Sequence, residues 1–462
     1  MWWRLQALNH KKPMRKLFGT DGIRGKANSF PIDPRTLQVI GMAVGHYFLK
    51  GEHRHKVVIG KDTRLSGYMI EQALTSGFLA MGMDVVLVGP MPTPAVSMIT
   101  KAFRADLGVM ISASHNPYYD NGIKFFDKRG FKLSDKVQTE IEKLVHSEIE
   151  DGFLTAKLAD SAHIGRAKRL EDASGRYIEY VKNTLPKNIS LDGLKIAIDC
   201  ANGASYKIAP TVLWELGAEI VEVGVDPNGL NINDKCGSTD VALLKKIVIE
   251  QKCDIGIALD GDADRLIIVD ENGGEIDGDQ ILAVIASYWK KEGLLKKNAV
   301  VATVMSNLAL EEFLKKQGIT LHRTQVGDRY VIEKMLEEKC NLGGEQSGHI
   351  IFNDYLTTGD GLVASLQILS VLVSSTKKAS LVLRPLKPFP QILKNVKLEK
   401  NIDLDRQEIK NAILKVEKEL TSGRVLIRKS GTEPLIRIMV EGEDKNQIVE
   451  VAGKLEKIIR QG

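Results

Sequence analysis

The stretch CDIGIALDGDADRLIIVD, residues 253–270, sets three carboxylates at alternate positions, Asp260, Asp262 and Asp264, directly after the apolar run Ile255–Leu259. Carboxylates this close repel one another unless a hard divalent cation sits among their oxygens. Two folds compete for the stretch. A calcium helix–loop–helix would use Asp260, Asp262, Asp264 and Glu271 at loop positions 1, 3, 5 and 12. That reading fails because the sharp-turn position that needs glycine holds Arg265, and because CDIGIAL and LIIVD read as β-strands. The stretch therefore predicts a magnesium loop at the end of a strand, with Arg265 beside it to meet an anion.

Outward from this loop, one order of elements repeats three times. The first runs are VVIGKD at 57–62, KIAIDC at 195–200 and VVATVM at 300–305. After a helix-compatible segment come GMDVVLVGP at 82–90, GAEIVEVGV at 217–225 and GITLHRTQVG at 318–327. Each block then reaches a third segment ending in a polar, turn-prone loop: LGVMISASHN at 107–116, IGIALDGDAD at 255–264 and NLGGEQSGH at 341–349. Strand, helix, strand, helix, strand implies mainly parallel α/β sheets, whose ligands gather beyond the carboxyl ends of the strands. Three similar domains should each offer one loop at an equivalent place.

The remainder differs. After the proline-rich connection Arg384-Pro-Leu-Lys-Pro-Phe-Pro390, the chain reads as a smaller α+β domain, with two strand-like runs around a turn in VLIRKSGTEPLIRIMVEG. A stiffened linker lets such a domain rotate as a unit. Near the front, Val137, Ile141, Leu144 and Val145 recur at helical spacing after Ser134, an expected N-cap, and that helix reads as core.

At 462 residues the chain is long enough for about three or four domains. Its 43% hydrophobic and 27% charged content is ordinary for a soluble globular protein. A net charge of +5, evenly spread, gives no argument for nucleic acid, and no apolar run reaches the roughly 20 residues that span a bilayer. Cys200, Cys236, Cys253 and Cys340 lie far apart, which predicts reduced thiols in a cytoplasmic protein. Residues 1–13 make a poor signal peptide and are assigned no role.

Other loops carry chemistry. ISASHNP at 111–117 places Ser112 or Ser114 at a strand-end tip as nucleophile or phosphate carrier; spacing does not choose between them. A Ser-His-Asp hydrolase is disfavoured, since neither serine has a Gly-x-Ser-x-Gly elbow. Arg428-Lys-Ser-Gly-Thr-Glu-Pro434, with Arg437 nearby, offers a guanidinium, hydroxyls and an approachable glycine N–H, as a phosphate cradle does, although an ordinary hairpin turn reads the same way locally. Gly344-Glu-Gln-Ser-Gly-His349 sets an acid, a hydroxyl and an imidazole together, a set suited to sugar hydroxyls. Gly19-Thr-Asp-Gly-Ile-Arg-Gly25 adds a glycine-flexed loop with Arg24. Together these parts describe phosphoryl transfer by positioning and charge neutralisation. With no P-loop or kinase signature, adenine nucleotide is not expected as donor.

FGTDGIRG, ISASHNP with NGIKFF, DGDADR, GGEQSGH and RKSGTEPLIR occur in the order seen in the α-D-phosphohexomutases, and the chain resembles that family from about Leu17 to its end. FGTDGIRG, GEQSGH and SGTEPLIRIMVEG together, with INDKCGSTD, most resemble members acting on glucosamine phosphates. The resemblance implies a heart-shaped fold of three similar mixed-sheet α/β domains and a smaller C-terminal α+β domain. The expected bounds are 14–171 with a phosphoserine loop, 172–270 with a metal loop, 271–384 with a sugar loop and 385–462 with a phosphate loop. The implied reaction converts glucosamine 6-phosphate to glucosamine 1-phosphate, for UDP-N-acetylglucosamine synthesis, through a phosphoserine and a 1,6-bisphosphate that turns end for end.

By motif position the resemblance makes Ser114 the phosphoserine. Asp260, Asp262 and Asp264 would bind one Mg²⁺ together with the phosphate on Ser114. Arg265 would lie beside the transferring group; Glu345 and Ser347 would hold sugar hydroxyls, with His349 close by. Arg428, Ser430, Gly431 and Thr432 would grip the non-reacting phosphate, and Arg24, His115 and Lys124 would stabilise charge or move protons. Glucosamine 1,6-bisphosphate or glucose 1,6-bisphosphate would serve as activator. The expected partner is a small hexosamine phosphate, with no nucleic acid or membrane, and the chain is expected as a monomer or homodimer. The nearest rival is a phosphomannomutase/phosphoglucomutase of the same superfamily; a phosphosugar phosphatase and a non-catalytic sensor are more distant ones.

Overall fold

A computed structural model describes residues 16–19, 21–397, 406–429 and 435–461. Its strands form four sheets. In the first, Lys56–Lys61 is flanked by the parallel strands Asp84–Pro90 and Leu107–Ile111, and Asp120–Asp127 then returns antiparallel to Leu107–Ile111. The second repeats this plan around Lys195–Asp199, with Glu219–Val223 on one side, Ile255–Leu259 on the other, and Leu266–Asp270 returning. The third repeats it around Ala299–Thr303, with Thr320–Thr324, Leu342–Gly344 and the returning Ile350–Phe352. The threefold sequence pattern is thus a threefold topology. Each third strand turns back through a hairpin, which makes the sheets mixed.

The reason these runs become strands is burial on both faces. Every residue of Leu107–Ile111, Ile255–Leu259 and Ala299–Thr303 is buried, as expected of central strands covered by helices on both sides. Burial of each Val, Leu or Ile side chain contributes about 1.5–3 kcal/mol. Helix Pro34–Phe48 starts where Asp33 accepts from Thr36 N at 3.0 Å, with Pro34 at its first turn. It lies tightly on helix Ser66–Ala80, because a Cβ at Gly77 would stand 2.4 Å from Gln38 O. Ser134 does occupy the N-cap position of helix Asp135–Asp151, but its side chain makes no capping hydrogen bond. Ile141 and Val145 of that helix are buried as expected, while its first residue, Asp135, pairs with Arg329 of the third α/β domain.

The fourth sheet is antiparallel, Gln391–Lys397, Leu435–Gly442 and Gly423–Lys429 in spatial order, with helices Gln407–Glu417 and Lys445–Gln461. Ile448, Val451, Ala452, Leu455 and Ile459 recur at helical spacing and close a core that is separate from the others. By contrast, one buried cluster runs continuously through all three α/β domains, from Val58 through Ile196 to Leu342. No helix among the described residues is long and apolar enough to cross a membrane. All four cysteines are buried and free.

Candidate active site

The three equivalent hairpin loops meet. Ser114 lies in the turn between Leu107–Ile111 and Asp120–Asp127, in the left-handed region at φ 54°, and is almost fully buried. Its hydroxyl donates to Asp260 Oδ2 at 2.5 Å, across the boundary between the first two sheets. Gly261 permits this approach, for a Cβ there would come within 2.6 Å of Ser114 O. Ser112 plays a different part. Its Oγ donates to Asp62 Oδ2 at 2.6 Å and accepts from Ser114 N at 2.9 Å, so it shapes the loop and its hydroxyl is engaged inward.

A fully buried arginine holds that loop from beneath. Arg64 donates from Nε to Asp62 at 2.8 Å, from Nη1 to the carbonyls of Pro117 and Asp120, and from Nη2 to those of Ser114 and Asn116, both at 2.8 Å. Asn233 Nδ2 donates to the same Ser114 carbonyl at 2.9 Å. Left-handed backbone costs a non-glycine residue about 1–2 kcal/mol, and this set of charge-assisted bonds offsets it.

The carboxylates Asp260, Asp262 and Asp264 are buried, with one oxygen from each lying within 4.8 Å of the others. Lys124 Nζ donates to Oδ2 of Asp262 at 2.7 Å and of Asp264 at 2.9 Å. Oδ1 of Asp262 is buried with no hydrogen-bond partner, and Oδ1 of Asp264 has only the long approaches of His349 Nδ1 at 3.5 Å and Arg265 Nε at 3.8 Å. Two such oxygens beside Asp260 fit a hard dication that takes oxygen ligands. Burial, then the charges of Asp264 and Asp262, pushes the Asp260 carboxyl well above the usual range. Burial also works against ionisation of Asp264, but Lys124 and then His349 outweigh it and hold this carboxyl well below the usual range.

The remaining expected residues divide. Arg24 donates to Asp21 at 2.6 Å, and Asp21 also pairs with Lys124 and Lys132, so a web of charges backs the triad. His115 Nδ1 lies 3.4 Å from Ser114 Oγ; burial, aided by Arg265 and Arg24, pushes its pKa down to about 4. The Arg265 guanidinium stands 3.8 Å from Asp264, largely but not fully buried. Glu345 accepts from Gly327 N at 3.1 Å, and burial raises its pKa. Ser347 is exposed. His349 is buried behind the triad, its Nδ1 3.5 Å from Asp264 and its Nε2 accepting from Gly359 N at 3.0 Å. It therefore ties the third domain to the metal loop. Arg428 and Arg437 are direct cross-strand partners, and burial, then Arg437, lowers the Arg428 pKa. Ser430, Gly431 and Thr432 lie outside the described residues.

Several residues at the site carried no weight in the sequence reading. Asp62 and Arg64 follow the strand of the first block and could have been flagged by the strand-end rule; Asp21 and Asn233 lie inside quoted motifs. Thr93, whose hydroxyl donates to Asp262, and Asp328, paired with Lys132, gave no local signal.

The chain matches four domain families in order: phosphoglucomutase/phosphomannomutase alpha/beta/alpha domain I over residues 15–151, domain II over 175–274, domain III over 277–389, and the C-terminal domain over 393–458. Phosphoglucosamine mutase from Sphingopyxis alaskensis is 57% identical over 447 residues, 96% of this chain and 98% of that protein. The phosphoglucosamine mutase from Bradyrhizobium diazoefficiens is 59% identical over 438 residues, 95% and 97% of the two chains. Among solved structures, a phosphoglucomutase/phosphomannomutase family protein from Burkholderia thailandensis superposes with a TM-score of 0.79 at 23% identity, covering 96% of this chain and 97% of that one. That last likeness shows the fold alone. With four domains matched in order and full-length relatives at this identity, the chain belongs to the phosphoglucomutase/phosphomannomutase family, the α-D-phosphohexomutases.

Proposed function

We propose that this chain interconverts glucosamine 6-phosphate and glucosamine 1-phosphate, with Ser114 as the phosphoryl relay. The observation that carries the reading is the 2.5 Å contact between Ser114 Oγ and Asp260, which joins an acceptor hydroxyl to a buried carboxylate triad. The glucosamine substrate is supported by the relatives at 57% and 59% identity, both phosphoglucosamine mutases. As a family member the chain is an intramolecular phosphotransferase of the isomerase class.

In the phosphorylated enzyme, the bond from Ser114 Oγ to phosphorus breaks as phosphorus bonds to a sugar hydroxyl oxygen. The hydroxyl proton leaves to a base and ends on Ser114 Oγ. His115, whose Nδ1 lies 3.4 Å from Ser114 Oγ, is placed to carry that proton. Asp260, Asp262 and Asp264, with the phosphate on Ser114, would hold Mg²⁺, which supplies charge neutralisation at the transferring group. Arg24, Lys124 and Arg265 add positive charge around it. Glu345 and Ser347 would orient sugar hydroxyls, with His349 bracing the loop that carries them. Arg428, with Ser430, Gly431 and Thr432, would hold the non-reacting phosphate at either end of the bisphosphate. Glucosamine 1,6-bisphosphate or glucose 1,6-bisphosphate would prime the serine.

The test is a comparison of kcat/KM for the 6-phosphates of glucosamine, glucose and mannose. The expected result favours glucosamine 6-phosphate by tenfold or more. Equal or better turnover of the glucose or mannose phosphate would replace this reading with a phosphoglucomutase or phosphomannomutase.

A further inference from the structure

At the far end of the first sheet from Ser114, His53, His55 and Asp106 bring two imidazoles and a carboxylate together, with ligand atoms within 4.8 Å of one another. We propose that these three residues form a second metal site, for a borderline transition-metal ion such as Zn²⁺. His53 and His55 alternate with Arg54 and Lys56 just before strand Lys56–Lys61, and period-two spacing puts both rings on one side, with centroids 4.0 Å apart. Arg54 is turned away to Asp84 at 2.7 Å. Asp106 stands immediately before the adjacent parallel strand Leu107–Ile111.

Two observations point to an ion beyond a hydrogen-bonded cluster. His55 is 5% exposed, and its Nδ1 is buried without a hydrogen-bond partner while facing Asp106 Oδ2 at 3.4 Å. The edge of a tetrahedron with Zn–N and Zn–O bonds of 2.0–2.1 Å is about 3.3 Å, so that separation already matches. His53 Nε2 stands 2.8 Å from the other carboxylate oxygen, Asp106 Oδ1, so this ring must swing to share an ion held on Oδ2, which its exposed side chain can do. The donor set is N₂O, with a fourth position for water. Such a set selects against Mg²⁺, which prefers oxygen ligands, and so separates this site chemically from the aspartate triad.

The ion would pin the starts of two neighbouring strands, roughly 20 Å of strand away from Ser114. It should therefore act on stability and leave turnover alone. The test is calorimetric titration of Zn²⁺ into the full chain at saturating Mg²⁺, with thermal unfolding in parallel. We expect one Zn²⁺ per chain with a Kd on the order of 1 μM or tighter, and a Tm rise of roughly 3 °C at a hundredfold excess over Kd. His53→Ala, at the surface, should fold normally, keep mutase activity, weaken Zn²⁺ tenfold or more and lose the Tm shift. His55→Ala, checked for native circular dichroism, should do the same. Failure to bind Zn²⁺ at tens of micromolar would overturn the proposal, as would an affinity or Tm shift unchanged in His53→Ala.

Discussion

Arg64 directs its hydrogen bonds to the Ser114 turn and to Asp62 and not to the triad, its fork spanning both edges of that turn and one buried carboxylate. Lysine in its place would keep the charge and lose the planar fork, so Ser114 would sit less firmly against Asp260. Arg64→Lys should lower kcat by about 10- to 100-fold, or roughly 1.4–2.7 kcal/mol of barrier, with a smaller change in KM. Steady-state kinetics on the purified variant checks this, and an unchanged kcat would remove Arg64 from the account. At this scale the sequence was informative where residues cluster in a motif. DGDADR stood out as a candidate cation loop because three carboxylates so close in the chain need positive charge among them to stay ionised together. Arg64 was silent, since a single arginine after a strand does not reveal that it will be buried beneath another loop.

The strands were legible because their apolar runs are continuous and β-branched, and the three-part repeat fixed their order. The hairpin after each third strand was harder to read. Leu266–Asp270 and Asp120–Asp127 look like any strand, and only pairing shows that they return antiparallel. Helix Gly278–Lys291 holds a carboxyl whose burial the sequence did not reveal. Asp279, in its first turn, is buried and accepts from Asn307 N at 2.7 Å, while Asn307 exchanges hydrogen bonds with Phe389, just before strand Gln391–Lys397 of the fourth sheet. Burial, then Asp277, raises the Asp279 pKa to about 7. Above its ordinary value of about 3.9, the unfolded chain loses this proton before the folded one does, so this group's contribution to stability falls as pH rises from about 4 to about 7. Asp279→Asn keeps the acceptor and removes the titration. Relative to the parent, the variant should gain roughly 3–4 kcal/mol between pH 4 and pH 7.5, measured by urea unfolding at both pH values. A pH-independent difference would contradict the assignment.

Across the whole molecule, the first three domains share a continuous core and the fourth keeps its own. Arg329 with Asp135 and Lys132 with Asp328 cross between the first and third domains, and Arg424 donates to Ser306 O at 2.6 Å to seat the fourth. None of these pairs could be read from sequence, where each residue is one surface charge among many. Hydrogen exchange followed by mass spectrometry should show Gly423–Lys429, Leu435–Gly442 and Lys445–Gln461 opening as one block, at lower free energy than the strands of the other domains. Exchange in step with Ile255–Leu259 would mean that the fourth domain is not a separate unit. The claim on which the rest depends is that phosphate travels through Ser114, at the seam of two domains. Its most direct measurement is incubation of the full chain with Mg²⁺ and ³²P-labelled glucosamine 1,6-bisphosphate, followed by peptide mapping. The account predicts label on Ser114 alone, discharged by added hexosamine phosphate and absent from Ser114→Ala; continued turnover with no label on the chain, or with the Ser114→Ala variant, would contradict it.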